Sequence, residues 1–143
     1  MKVTYIAEIG NNHNGNISLA KEMIDAAIKA GTDYVKFQIY NIDKFMAENN
    51  PFYNDFVKER LSFDDFRELQ SYTEGKGGRF FATPFDEDSM DLLGDIGLSV
   101  VKISSGDMNN QQLLLQAINL QMELIVSVGG ATLDEIGAMV RVL

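Results

Sequence analysis

With 143 residues and 45% hydrophobic side chains, the chain holds enough apolar material for one globular domain with its own core, which excludes a disordered tail. A formal net charge of −9 excludes a broad basic surface for nucleic acid or an anionic membrane, so any anionic ligand must be met by individually placed lysines. There is no cysteine, no stretch of transmembrane length, and Met1-Lys2 leads into a strand rather than a signal peptide; a reducing, cytoplasmic setting is expected.

The first apolar run, residues 3–8, reads as a strand ending at Glu8. Gly10-Asn11-Asn12-His13-Asn14-Gly15 follows, six small or polar turn-formers. A helix then opens at Asn16 or Ser18, with Leu19, Met23, Ala26, Ala27 and Ala30 on its inner side, and stops at Gly31. The second strand runs over residues 34–39. Residues 40–61 form a long connection containing Phe45, Phe52, Tyr53 and Phe56 and one short helix, a length that suggests a lid or binding loop. Ser62 and Asp65 make a capping box for a helix with Phe66 and Leu69 inside, and the glycines at 75, 77 and 78 end it.

The third strand covers residues 79–83. Asp86 is a suitable N-cap for the next helix, which carries Met90, Leu92, Leu93 and Ile96 and ends at Gly97. The fourth strand starts near residue 99 and leads into Ser104-Ser105-Gly106-Asp107. A helix over 111–120, a strand over 123–128 and a helix from the capping box Thr132/Glu135 to Leu143 complete the pattern.

Five βα units in succession require right-handed crossovers and a parallel sheet, either open and doubly wound or curled into a barrel. A (β/α)8 TIM barrel needs roughly 250 residues, about 30 per unit. In a barrel fold this chain supplies the first five units, so residues 1–143 are expected to be the N-terminal portion of a longer barrel, with two sheet edges exposed.

Ligands gather at the carboxyl ends of parallel strands. There the chain presents Glu8, Lys36, Gln38, Thr83, Lys102, Ser105, Asp107 and Ser127. Lys36 and Lys102 are the most informative, because each sits inside an apolar strand and an ammonium is almost never buried without a partner or a task. The plainer account is a gatekeeper lysine on an edge strand. Residues two apart share a face, pairing Lys36 with Gln38 and Lys102 with Ser104, and two cations among hydroxyls suit a small polyanion such as a phosphorylated carboxylate.

The only histidine, His13, is either a substrate contact or a loop residue bonded to its own backbone; several-histidine metal sites cannot be completed within this chain. Ser104 to Asp107 reads as a phosphate cradle with a carboxylate, or as a capped turn. Ser127-Val128-Gly129-Gly130, just before a helix, offers backbone N–H groups to an anion. No dinucleotide fingerprint, Walker A motif or nucleophile elbow occurs.

Taken in order, Ala7-Glu8-Ile9-Gly10-Asn11-Asn12-His13-Asn14-Gly15, Val35-Lys36-Phe37-Gln38, Ala82-Thr83-Pro84-Phe85-Asp86, Lys102-Ile103-Ser104-Ser105-Gly106-Asp107 and the stretch from Ser127 to Ile136 resemble the N-acetylneuraminate (sialic acid) synthase family. The resemblance implies a TIM barrel that condenses phosphoenolpyruvate with an N-acylmannosamine-type sugar and releases phosphate. It implies that Lys36, Thr83, Lys102, Ser105 and Ser127 contact phosphoenolpyruvate, that Glu8 and Gln38 are polar active-site residues, and that Asp107 stands where the family commonly has Glu near C2. It also implies a divalent metal, Mn2+ or Mg2+, whose histidine ligands lie on later strands, a C-terminal antifreeze-like domain beyond this chain, and a homo-oligomer. On this reading the 143 residues alone are inactive. The competing readings are a Schiff-base aldolase using Lys36 or Lys102, and a truncated barrel serving as a binding or assembly module.

Overall fold

The structure, a computed structural model, describes residues 3–143. The expectation attached to Met1 and Lys2 falls outside the described residues. Five strands, β1 (Ile6–Gly10), β2 (Tyr34–Ile39), β3 (Phe80–Pro84), β4 (Val100–Ile103) and β5 (Glu123–Val126), form one sheet in the order β1-β2-β3-β4-β5, every pair parallel. A doubly wound sheet would reverse its order at a switch point. This one never does, and it is part of a barrel wall.

Alternate strand residues divide the sheet into two unlike faces. Ile9, Val35, Phe37, Ile39, Phe80, Ala82, Val101 and Ile103 are buried beneath the helices and belong to the main apolar core. Phe37 anchors this side, stacking on Phe80 at 5.2 Å and meeting Phe66 edge-on at 6.2 Å. The opposite face, carrying Ile6, Glu8, Tyr34, Lys36, Gln38, Phe81, Thr83, Val100, Lys102 and Ile125, corresponds to a barrel interior. It is apolar toward the amino ends, where Ile6, Tyr34, Phe81, Val100 and Ile125 line a concavity of about 280 Å³, and polar toward the carboxyl ends.

Local chemistry sets the helix starts. Asn16 caps α1 (Ile17–Lys29) by accepting from the N–H groups of Ser18 and Leu19. Its buried line is Ala20 and Ile24, flanked by Ile17, Met23, Ala27 and Ile28, whereas Ala26 and Ala30 are exposed, contrary to the sequence reading. Alanine carries too little apolar area to decide which face of a helix turns inward. The expected capping boxes open α4 (Phe63–Gly75) and α7 (Leu133–Val140), and Asp86 caps α5 (Glu87–Asp95). A further helix, α6 (Gln111–Asn119), starts from Asn110, whose side chain accepts from the Leu113 N–H. Helix α7 stops at Val140 rather than Leu143, its end tightened by the Val142 N–H on the Met139 carbonyl.

Two helices occupy the long connection where one was expected, α2 (Ile42–Phe45) and α3 (Tyr53–Glu59). The segment is pinned rather than loose. Tyr40, Phe45, Phe56 and Phe85 pack ring to ring at 5.1–5.6 Å, and the Tyr40 hydroxyl donates to the Phe56 carbonyl at 3.0 Å. The buried Asp86 carboxylate accepts from the Asn41 N–H at 2.6 Å and from the Ser89 hydroxyl at 2.8 Å, tying the segment to the start of α5. Lys44 adds an ion pair to Asp88 at 2.6 Å. Phe52 stays 62% exposed, outside this cluster.

Candidate functional site

Strand register brings the polar residues together. Glu8 is the partner of Lys36 across β1 and β2, and Gln38 is the partner of Thr83 across β2 and β3. In parallel strands such partners share a face, so Glu8, Lys36, Gln38 and Thr83 line the helix-free side, with Lys102 on the same side of β4. Lys36 is 3% exposed. Its Nζ pairs with Glu8 Oε2 at 2.5 Å and donates to Thr83 Oγ1 at 3.1 Å. Burial pushes its pKa below the usual lysine value, Glu8 opposes this, and the charge of Lys102 adds to the lowering. The edge-strand account does not apply to Lys36, because β2 lies inside the sheet between β1 and β3.

Beyond β4 the chain turns through a short 3-10 helix, Ser105–Asp107, capped by Ser104, whose hydroxyl accepts from the Gly106 N–H at 3.4 Å. Ser104 thus serves the turn. Ser105 is exposed at the mouth, and a Cβ built on Gly129 would lie 3.8 Å from its Oγ, which puts the β4 and β5 carboxyl ends side by side. Ser127 follows β5 directly, its N–H donating to the Ile103 carbonyl at 3.0 Å. Asp107 is half-buried; burial raises the pKa of its carboxyl, with a hydrogen bond from Asn110 opposing.

His13 stands apart from Lys36 and Thr83 but lines a crevice with Gln38. It is 1% exposed and lies on the helix side of β2, with its ring centroid 6.0 Å from that of Phe37. Nδ1 accepts from the Gly15 N–H at 3.2 Å, which places the ring proton on Nε2, and Nε2 has no partner. Burial lowers the His13 pKa, with Asp65 opposing.

The structure also gathers residues that the sequence reading did not single out. Asn11, Tyr40, Glu59 and Arg60 line a narrow crevice with Gln38 and His13. The Tyr40 pKa is pushed up to about 12, chiefly by burial and then by Glu59. Position alone was the available signal, since Tyr40 is the first residue past a strand's carboxyl end. Among the described residues no three His, Cys, Asp or Glu side chains converge as a metal site would require. These residues do not by themselves fit a divalent cation, and no step below is routed through one. No helix among the described residues is long and apolar enough to cross a membrane.

Comparison with known proteins identifies the family and the fold. The profile of the NeuB family matches residues 23–143. N,N'-diacetyllegionaminic acid synthase of Campylobacter jejuni is 36% identical, covering 99% of this chain and 47% of that protein. N-acetylneuraminate-9-phosphate synthase of Drosophila melanogaster is also 36% identical, over 99% of this chain and 41% of that protein. Among solved structures, N-acetylneuraminic acid synthetase of Leptospira borgpetersenii in complex with citrate superposes with a TM-score of 0.94 at 36% identity, over 99% of this chain and 50% of that one. A truncated 3-deoxy-D-arabino-heptulosonate 7-phosphate synthase of Thermotoga maritima, at 12% identity and a TM-score of 0.69, shares the fold. The chain therefore spans half or less of each of these proteins.

Proposed function

The chain belongs to the NeuB family, and from that premise we propose that it is the N-terminal part of a synthase joining phosphoenolpyruvate to an N-acylmannosamine-type sugar, giving a sialic-acid-like nonulosonic acid and phosphate. The observation that carries this reading is Lys36, a buried cation inside the sheet, held by Glu8 and Thr83, with Lys102 on the same side of β4.

In the proposed reaction the two ammonium groups hold the phosphate and carboxylate of phosphoenolpyruvate, and the hydroxyls of Thr83, Ser105 and Ser127 complete the cradle. Fixed charges at the strand ends orient C3 of phosphoenolpyruvate toward the sugar aldehyde. A carbon–carbon bond forms there, water adds at C2, and the C2–O bond to phosphate breaks. Asp107, with its raised pKa, is suited to take the proton of the attacking water. Glu8 and Gln38 stand beside this cradle as polar residues of the site. A divalent cation belongs to the proposal only for the whole protein, with ligands from outside these residues; the proposed setting is the cytoplasm, and the proposed assembly a homo-oligomer.

The test is phosphate release by the complete protein supplied with phosphoenolpyruvate and N-acetylmannosamine or a diacetamido hexose, with the keto acid identified by mass spectrometry. Release that requires both substrates is expected. Release independent of the acceptor, or none with any acylated hexosamine, overturns the reading. The lowered pKa of the buried Lys36 also favours a second reading, a Schiff-base aldolase. Borohydride reduction with pyruvate would trap a lysine adduct only in that case.

A further inference from the structure

Lys36 and Glu8 share an ion pair but not an environment. The Lys36 side chain is 4% exposed, whereas that of Glu8 is 52% exposed. Lys36 also donates to the Thr83 hydroxyl, on a residue that is itself buried, so two members of this trio are enclosed and one is half-exposed. An anion delivered to Lys36 would put two negative groups on one ammonium, a like-charge contact that costs binding energy.

Glu8 Oε1 lies over Gly10, where a Cβ would stand only 3.3 Å away, with the Gln38 amide oxygen 3.8 Å from the same point. Gly10 has φ +56, and the close approach of Glu8 to it leaves no room for a side chain there. A half-exposed carboxylate can turn toward solvent, whereas the buried lysine cannot follow it.

We propose that Glu8 is a displaceable counter-ion, which neutralises Lys36 in the ligand-free protein and yields its place when the phosphate or carboxylate of the substrate arrives between Lys36 and Lys102. This rests on the reading of the site as a phosphoenolpyruvate site. Glu8 acts on that substrate through Lys36, as a positioning residue. Its competition lowers apparent anion affinity by the fraction of molecules in which the pair is closed. It also keeps a buried ammonium charged before any ligand binds.

The test is calorimetric titration of the complete protein with inorganic phosphate and with phosphoenolpyruvate at slightly acidic pH, where lysine is protonated. Glu8→Gln is expected to bind both anions about 3- to 10-fold more tightly, the gain from opening a pair that is closed most of the time, and to lower KM for phosphoenolpyruvate. Lys36→Met should lose both. In the wild type, the carboxylate 13C signal of Glu8 should move toward that of a hydrated glutamate as phosphate is added, a readout that does not depend on any variant folding. Weaker or unchanged binding by Glu8→Gln, or a Glu8 signal that ignores phosphate, overturns the proposal and makes Glu8 a fixed support of Lys36. Wild-type protein that binds no phosphoenolpyruvate overturns the functional reading as well.

Discussion

Replacing Lys36 by methionine separates what this side chain does for the site from what it does for the fold. The substitution keeps a long unbranched side chain while removing a charge that the sheet otherwise keeps out of water. Relief from burying a paired ion is worth roughly 1–4 kcal/mol in cases where an apolar group takes its place. Against this, the buried Thr83 hydroxyl loses its donor, at about 1–3 kcal/mol. Glu8 is half-exposed and rehydrates, so no stranded buried charge is left behind. The two effects nearly cancel, and Lys36→Met should unfold within about 2 kcal/mol of wild type. Anion binding is different, because loss of one partner of a buried charged contact costs about 2–5 kcal/mol, equivalent to about 30-fold to several thousand-fold in phosphoenolpyruvate affinity. Denaturant unfolding and calorimetry on the same preparations measure both. Wild-type stability should also rise with pH between the lowered Lys36 pKa and the ordinary value of 10.5, where the unfolded chain binds more protons; the variant should lack that rise. A variant that keeps wild-type affinity, or loses more than about 4 kcal/mol of stability, would show that Lys36 is architecture and that the polar strand ends were misread.

Asp107→Asn should abolish turnover and leave phosphoenolpyruvate binding largely intact, with Asp107→Glu active; loss of the ligand in a titration would make Asp107 a structural residue. Neutral His13 has a folded pKa below 6.5, so its contribution to stability should fade as pH drops through and below that value, and His13→Asn should flatten the dependence seen in thermal unfolding. An unchanged slope would mean that His13 is not kept neutral by burial. Gly15→Ala combines a φ of +71 with a Cβ that would collide with the Lys58 carbonyl oxygen, so a loss of about 2 kcal/mol or more is expected in chemical denaturation. The isolated 143-residue chain, with Ile6 42% and Ile125 41% exposed on its two edge strands and Tyr5 62% exposed just before the first, should associate or precipitate and show no condensation activity; a cooperative monomer in light scattering would refute this.

Caps were legible because their chemistry is local. Asn16, Ser62, Asp86 and Thr132 each satisfy backbone N–H groups within three residues, and all four start helices as read. The first strand was placed too early, at residues 3–8 rather than Ile6–Gly10, because an apolar run does not reveal where a ladder begins. That is decided by Tyr34, the partner of Ile6. The strand-end ring was visible from letter order alone, but the Glu8–Lys36–Thr83 contact depends on register between strands far apart in the chain. His13 shows the limit most clearly. Its letters carry no sign of its packing beside Phe37, which depends on where the next strand lies.

The strictly sequential sheet also has a kinetic side. Each strand from β2 onward hydrogen-bonds to the one made just before it, so the ribosome delivers every new strand to an edge already waiting for it. Chain closure then spans one βα unit at a time, and its entropic cost stays small and nearly constant from step to step. Growth of this kind resembles a solenoid more than a globule. β4 and β5, the last edges formed by this chain, are four residues each, short enough to limit mispairing with other nascent chains while the wall is still open.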